Sequence, residues 1–216
     1  MNRIWKTIAL AMLWLASAAH AEGPSVIEMP TARFATGDDP ARARPEFDDS
    51  SWPVLSTLKN FEKQGFEGYD GYAWYRIHVR IPSSLRTTVR WDHRLRVYLS
   101  SIDDVDETFL NGTKIGAMGQ MPEDPRGYST RWNGIRTYYV DLASNLVRWD
   151  ADNVIAIRLY DGSGGGGFSF CCMNIVTPMI SGQMPMSAKS GGVQGIRPNR
   201  LKIVVGSGAE RSLIQP

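Results

Sequence analysis

The dipeptide Asn111-Gly112 constrains the fold of this chain more than any other feature of its sequence. It separates Thr108–Leu110 from Thr113–Ile115, two short runs that mix apolar and polar residues. A two-residue type I′ turn needs positive φ at both central positions, and Asn followed by Gly accepts that conformation readily. The sequence therefore predicts a β-hairpin within Leu99–Gly119, and the rest of the chain is organised around it.

Three carboxylates, Asp103, Asp104 and Asp106, stand just before this hairpin. Because a strand interior has little use for three acids, we expect Ile102–Asp106 to be a loop at the edge or end of a sheet, where binding sites are common. Calcium prefers oxygen ligands that lie close together, so the three side chains are candidate ligands of a structural calcium ion. Asp103 and Asp104 can equally accept hydrogen bonds from N–H groups of the loop. Three carboxylates also fall short of the ligand number that calcium takes.

Two further stretches predict long strands. Asn153–Tyr160 is apolar on nearly both sides, which is typical of a central strand. Gly71–Ile81 alternates, so that one face belongs to the core and the opposite face, with Arg76 and His78, is partly solvated. Together with 21 Gly and 12 Pro, which favour many turns, the short β-like runs predict an all-β sandwich or barrel.

The remaining segments give weaker patterns. Gly116–Asn133 is predicted to be a long loop, and a loop of that length is functional or mobile. Phe168–Val176 is a candidate last strand. From residue 181 onwards Gly, Ser, Pro and Met dominate, and Leu201–Val205 is the one short β-like segment within a tail of residues 181–216.

Residues 1–21 have the pattern of a secretory signal peptide: Arg3 and Lys6, then the apolar Ile8–Ala16, then an Ala-x-Ala cleavage site ending at Ala21. The apolar stretch is too short to span a bilayer, so we expect cleavage and no transmembrane anchor afterwards. After removal of the signal peptide with Arg3 and Lys6, the rest of the chain has 22 basic and 22 acidic residues. That balance argues against a nucleic-acid partner, and the signal predicts a periplasmic or secreted protein.

Several short motifs follow one another in a fixed order: GDDP at 37–40, FDDSSW at 47–52, DGYAWYR at 70–76, IDDVDETFLNGTKIG at 102–116 and NVIAIRLYDGSGGGG at 153–167. This order resembles the galactose-binding-like β-jelly-roll domain. Similar domains are the sugar-binding domain of family 2 glycoside hydrolases (the β-galactosidase and β-glucuronidase group), that of sialate O-acetylesterases, and the sensory jelly rolls of some bacterial signalling proteins. The resemblance implies an all-β jelly-roll β-sandwich over residues 22–180.

No catalytic residues are predicted. Glycoside hydrolysis needs two carboxylates on opposite sides of a sugar, whereas the acids of 103–107 are neighbours in one segment. A family 2 hydrolase also needs a catalytic barrel of typically about 250 residues, for which 216 residues leave no room. We therefore expect no enzymatic activity from this chain alone and no cofactor beyond a possible structural calcium.

Carbohydrate binding is the function that the sequence favours. Sugar sites combine an apolar platform with a few placed polar groups, and the predicted loops supply both kinds of residue. The candidate ligand-binding residues are Asp70, Asp103, Tyr128, Arg131, Trp132, Asn133 and Asp161. Three hypotheses remain open: an exported, non-catalytic accessory or sensory module that binds carbohydrate, a fragment of or accessory to a family 2 glycoside hydrolase, and a structural domain that binds another cell-envelope protein.

Overall fold

The computed structural model describes residues 26–88, 93–169 and 201–205, and it is built almost entirely from antiparallel strands. The strands are β1 (Val26–Met29), β2 (Thr31–Thr36), β3 (Val54–Ser56), β4 (Gly71–Arg80), β5 (Arg94–Asp103), β6 (Val105–Leu110), β7 (Thr113–Met118), β8 (Ile135–Asp141), β9 (Asp152–Asp161), β10 (Gly167–Ser169) and β11 (Leu201–Val205). Helical structure in the described residues is limited to α1 (Leu85–Thr88) and three short 3-10 turns, Pro40–Ala43, Glu62–Gln64 and Leu142–Ser144. The predicted signal peptide, residues 1–21, lies outside the described residues.

Two sheets form the sandwich. The larger has the strand order β3-β2-β4-β9-β6-β7, and the smaller has the order β1-β11-β5-β10 with β8 also paired to β5. Between them lies one continuous apolar core, to which Phe34, Tyr75, Leu99 and Ile157 contribute fully buried side chains. The predicted all-β sandwich is confirmed.

Strands β4 and β9 form the centre of the larger sheet. They pair antiparallel over ten residues each, from Gly71 opposite Asp161 to Arg80 opposite Asp152. Alternating β4 residues, Ala73, Tyr75, Ile77 and Val79, are buried in the core as their spacing predicts. The central position of β9 between β4 and β6 is confirmed as well.

The hairpin at Asn111-Gly112 is also confirmed. It joins β6 to β7, and the two turn residues have φ values of 48° and 86°, the positive angles that a type I′ turn requires. The Asn111 side chain additionally accepts a hydrogen bond from Val154 N (2.9 Å) and donates one to Leu146 O (2.8 Å). This turn is therefore attached to the central strand β9 as well as to its own hairpin.

The prediction that Ile102–Asp106 forms a loop is wrong. Strand β5 continues to Asp103 and β6 begins at Val105, so Asp104 alone separates the two strands. Asp106 lies inside β6 and points into the sandwich, where its carboxylate meets the guanidinium of Arg136. A strand accommodates an acid here because an opposite charge from the facing sheet compensates its burial.

Arg76 is fully buried, although the sequence predicts a partly solvated environment for its face of β4. The segment Gly37–Pro53 lies over this part of the larger sheet. The Arg76 guanidinium donates to Asp49 (2.7 Å) and to the backbone oxygens of Arg44 (2.9 Å) and Phe47 (3.2 Å). A long segment without strands is thereby held onto the outer face of the sheet.

The end of the chain contributes to the smaller sheet. Leu201–Val205 lies between β1 and β5 and pairs antiparallel with both, so five residues of the predicted tail belong to the sandwich. The other residues of 181–216 lie outside the described residues, as does the predicted strand beyond Ser169. Within the described part of the chain, no helix has the length and apolar character needed to cross a membrane.

Candidate functional site

A long connection between β7 and β8, Gly119–Gly134, crosses one end of the sandwich; we call it the strap. The sequence predicts a long loop here, and the structure begins it three residues later, after Met118. Within the strap, Gln120 and Ser129 exchange two backbone hydrogen bonds of 2.9 and 3.1 Å. The strap is therefore folded back on itself.

Asp104 connects the strap to both sheets. Its carboxylate accepts hydrogen bonds from the Tyr128 hydroxyl (2.6 Å), the Thr130 hydroxyl (2.5 Å) and Gly162 N (2.9 Å). Burial acts to raise the pKa of Asp104, but these donors outweigh it and lower the pKa below its ordinary value. Asp104 is consequently an ionised acceptor at neutral pH whose oxygens are occupied by protein donors.

Arg136 holds the other end of the strap from inside the sandwich. Its guanidinium pairs with Asp106 (Nε to Oδ1, 2.8 Å) and donates to the backbone oxygens of Arg131 and Gly134, both at 2.6 Å. It also donates to the backbone oxygen of Asp104 at 3.1 Å. The sequence analysis missed this residue, although the alternation along β8 gives a signal: Arg136 lies on the same face of the strand as the buried Tyr138 and Val140.

The structure does not gather Asp103, Asp104 and Asp106 into the predicted calcium site. Asp106 is occupied by Arg136 and by the hydroxyls of Thr108 and Tyr138, each 2.9 Å from its Oδ2. Across the described residues, no three acidic, His or Cys side chains are arranged so that they could hold a metal ion. Of the alternative that the sequence left open, acceptance of backbone N–H groups by Asp103 and Asp104, the structure shows one case: Asp104 accepts from Gly162 N at 2.9 Å.

The strap presents aromatic side chains to solvent. Tyr128 and Trp132 are 41% and 42% exposed, and Arg131 and Asn133 beside them are exposed too. Tyr128 is held in place because its hydroxyl donates to Asp104 and its ring meets the edge of Tyr160, with centroids 5.4 Å apart. These four predicted residues thus lie together on one surface segment.

The remaining predicted residues lie at different depths. Asp103 is partly buried, and burial followed by its neighbour Asp104 raises the pKa of Asp103 to about 7. Asp161 has no exposed surface and lies beneath the other candidate residues, and its role in ligand binding stays a prediction. Asp70 is exposed and precedes Gly71, the residue that pairs with Asp161 at the same end of the larger sheet.

A charge network that the sequence did not suggest fixes the first half of the strap. Arg158 of β9 pairs with Asp38 (2.5 Å), with Glu107 (3.2 Å) and with Glu123 of the strap (2.7 Å). Tyr72 of β4 also donates a hydrogen bond to Glu123. These residues are far apart in sequence, so only the fold brings them together.

Comparison with solved structures finds the same fold within larger enzymes. A family 2 glycosyl hydrolase from Bacteroides cellulosilyticus aligns with a TM-score of 0.51 and 16% identity, over 67% of this chain and 20% of that enzyme. A β-glucuronidase from Bacteroides uniformis aligns with a TM-score of 0.47 and 15% identity, over 83% of this chain and 16% of that enzyme. No protein-family model and no curated protein matches the sequence.

The first of these alignments carries the assignment of the fold. It confirms the predicted resemblance to a β-sandwich domain of family 2 glycoside hydrolases, and at this identity it shows the fold alone. The chain spans about a fifth of the length of that enzyme. The resemblance to sialate O-acetylesterases stays a prediction.

Proposed function

We propose that this chain is an exported, non-catalytic carbohydrate-binding module. The observation that carries the proposal is the strap surface, where Tyr128 and Trp132 are exposed and Tyr128 is fixed by its hydrogen bond to Asp104. Soluble proteins bury most large aromatic side chains, and an exposed pair on an anchored segment favours a binding role. Export rests on the signal-peptide pattern of residues 1–21.

The chemistry of the surface suits a sugar. The apolar face of a sugar ring packs against an aromatic side chain, and its hydroxyls need donors and acceptors placed around that platform. Arg131 supplies donors, Asn133 supplies both kinds of group, and the Tyr128 oxygen still has a free acceptor position after donating to Asp104. Because the strap is attached to both sheets, little ordering is required when a ligand binds.

A non-catalytic role fits the carboxylates at this end of the sandwich. The Asp104 oxygens are occupied by three protein donors, and Asp161 is buried. Hydrolysis of a glycosidic bond requires two carboxyl groups facing each other across the sugar. The alignment with part of a family 2 enzyme supports the more specific hypothesis that the module is accessory to such a hydrolase.

The test is a thermal-shift screen of the full chain against neutral, acidic and amino sugars and their oligomers, with and without calcium. A ligand that binds only the folded state raises the melting temperature, by an amount that depends on its concentration. We expect a shift with at least one sugar that is lost in Trp132→Ala and in Arg131→Ala. Tyr139→Ala is the matched control, because Tyr139 is a 40% exposed aromatic residue on β8 outside the strap.

Other outcomes contradict the proposal. A shift with calcium alone would favour a structural metal site, and equal loss of sugar binding in the Tyr139→Ala control would place the site elsewhere. No shift with any sugar would favour the third hypothesis, a structural domain that binds another protein of the cell envelope.

A further inference from the structure

Two carboxyl groups meet beneath the connection between β9 and β10, which we call the glycine loop (residues 162–166). Glu62 Oε1 accepts a hydrogen bond from Gly166 N at 2.5 Å, and Asp161 Oδ1 accepts one from Ser163 N at 3.2 Å. The second oxygens of these groups, Glu62 Oε2 and Asp161 Oδ2, are buried and have no donor among the described residues. Buried polar atoms without partners are rare in native proteins and require an explanation.

One proton explains both atoms. Both carboxyl groups adjoin the same residue of the glycine loop, because Gly166 N donates to Glu62 Oε1 and Gly166 packs against Asp161 Oδ2. A carboxylate oxygen can only accept, so one carboxylate cannot form a hydrogen bond with another. Two carboxyl groups therefore form such a bond only when one of them is protonated, and two ionised groups at this position would be buried like charges. We infer that the Asp161 carboxyl is protonated at mildly acidic pH and donates its proton to Glu62. This hydrogen bond, which we call the latch, would hold the glycine loop onto the short helix Glu62–Gln64.

The glycine loop packs directly against the Asp161 carboxyl. A Cβ atom at Gly166 would lie 2.2 Å from Asp161 Oδ2 and 2.3 Å from the Phe61 ring. The backbone of the glycine loop thus fills this side of the Asp161 carboxyl. A shared proton requires no additional space, unlike a bridging water or a cation.

Among the described residues, the titratable groups that interact with the pair do not supply an opposite charge. Asp103 of β5, Asp104 at the strand junction and Tyr128 of the strap interact electrostatically with Asp161, and Tyr75 of β4 does so with Glu62. The nearby cation Arg136 is paired with Asp106. Burial, followed by the charge of Glu62, raises the pKa of Asp161 to about 7.

The latch makes the glycine loop sensitive to pH. A carboxyl whose pKa is raised by folding stabilises the closed loop fully below its unfolded pKa of about 4. That stabilisation is lost as the pH rises through the folded pKa of about 7. Because Gly162 N also donates to Asp104, opening of the loop removes one of the contacts that position the strap.

The test combines infrared spectroscopy with hydrogen exchange on the full chain. We expect the difference spectrum between wild type and Asp161→Asn at pH 6 to show the carbonyl band of a buried protonated carboxyl, and likewise the difference spectrum between wild type and Glu62→Gln. The contribution of Asp103, whose pKa is also raised to about 7, is present in all three proteins and cancels. Exchange of the glycine-loop amides, corrected for intrinsic rates, should rise by up to about tenfold per pH unit between about pH 4 and 7 and then level off. In Asp161→Asn, whose amide donates to Glu62 without a titrating proton, this pH dependence should be absent.

Asp124→Asn is the matched control, because Asp124 is an acid paired with Arg126 at the surface and should leave both readouts unchanged. Absence of a protonated-carboxyl band in wild type would overturn the inference, and that measurement requires no variant to fold. It would also be overturned if calcium stabilised wild type but not Asp161→Asn, since a cation would then satisfy the two oxygens.

Discussion

Replacing Asp106 by Asn tests whether the buried ion pair with Arg136 holds the strap to the sandwich. The two residues are 1% and 0% exposed, so the change leaves a guanidinium charge inside the protein without a counter-charge. Removing one partner of a buried ion pair costs about 3–5 kcal/mol, because the desolvated partner remains. At about 2–4 °C of melting temperature per kcal/mol for a domain of this size, we expect a decrease of roughly 6–20 °C.

The measurements are thermal and urea unfolding of the full chain, each followed by tryptophan fluorescence and by circular dichroism. Asp124→Asn removes the same charge from the surface pair with Arg126 and should leave the midpoint unchanged. Adding Arg136→Met to Asp106→Asn should recover part of the loss, since no buried charge then remains. Recovery should be incomplete because the backbone oxygens of Arg131 and Gly134 lose their donor.

The reasoning would be refuted if Asp106→Asn lowered the free energy of unfolding by less than about 1 kcal/mol, because an uncompensated buried charge costs well above that. It would also be refuted if the double variant were no more stable than the single variant. In the first case the carboxylate would not be needed to compensate Arg136. In the second case the loss of stability would come from the lost packing and hydrogen bonds of the Asp106 carboxyl, and the unpaired charge of Arg136 would not contribute to it.

Two further predictions concern local packing and charge. His78 lies between Asp49 (2.9 Å) and Asp152 (2.7 Å), and although burial lowers the pKa of His78, these partners outweigh it and raise the pKa. Wild type should therefore have a higher free energy of unfolding than His78→Gln below about pH 6.5, and this difference should disappear as the pH rises through the raised pKa of His78. Urea midpoints of the two proteins with the same pH dependence would contradict this. Gly166→Ala should cost about 1–3 kcal/mol, because the new Cβ would lie 2.2 Å from a buried carboxyl oxygen and 2.3 Å from a buried ring. Gly165→Ala, whose Cβ would meet at 2.7 Å only the end of an amide side chain, should cost less, and equal losses in thermal melts would disprove the packing argument.

The parts of the fold that could be predicted are those in which neighbouring residues carry the signal. The positive φ values at Asn111 and Gly112 follow from the two residue types, and the core face of β4 follows from alternation. The strap residues Tyr128 and Trp132 could be identified as site candidates because aromatic side chains in a long polar connection have few other uses. For these features the local sequence is sufficient.

The misinterpreted residues are charged side chains in strands. The sequence predicts a partly solvated face for Arg76 and a loop for Asp106, because an isolated charge is costly to bury. Both are buried, each against a partner about thirty positions away: Asp49 for Arg76 and Arg136 for Asp106. Nothing in the local sequence reveals a partner at that distance.

The sequence by itself determined the class of the fold, the two long strands β4 and β9, the hairpin and the long connection that carries Tyr128 and Trp132. Only the tertiary structure decided that Asp104 anchors the strap, that Asp161 lies beneath the surface and that Glu62 adjoins it. The physical reason is that backbone conformation and apolar burial depend on residue type and spacing, which act over a few positions. The state of a charged group depends on which other charges and donors surround it, and that is settled when distant strands and connections meet.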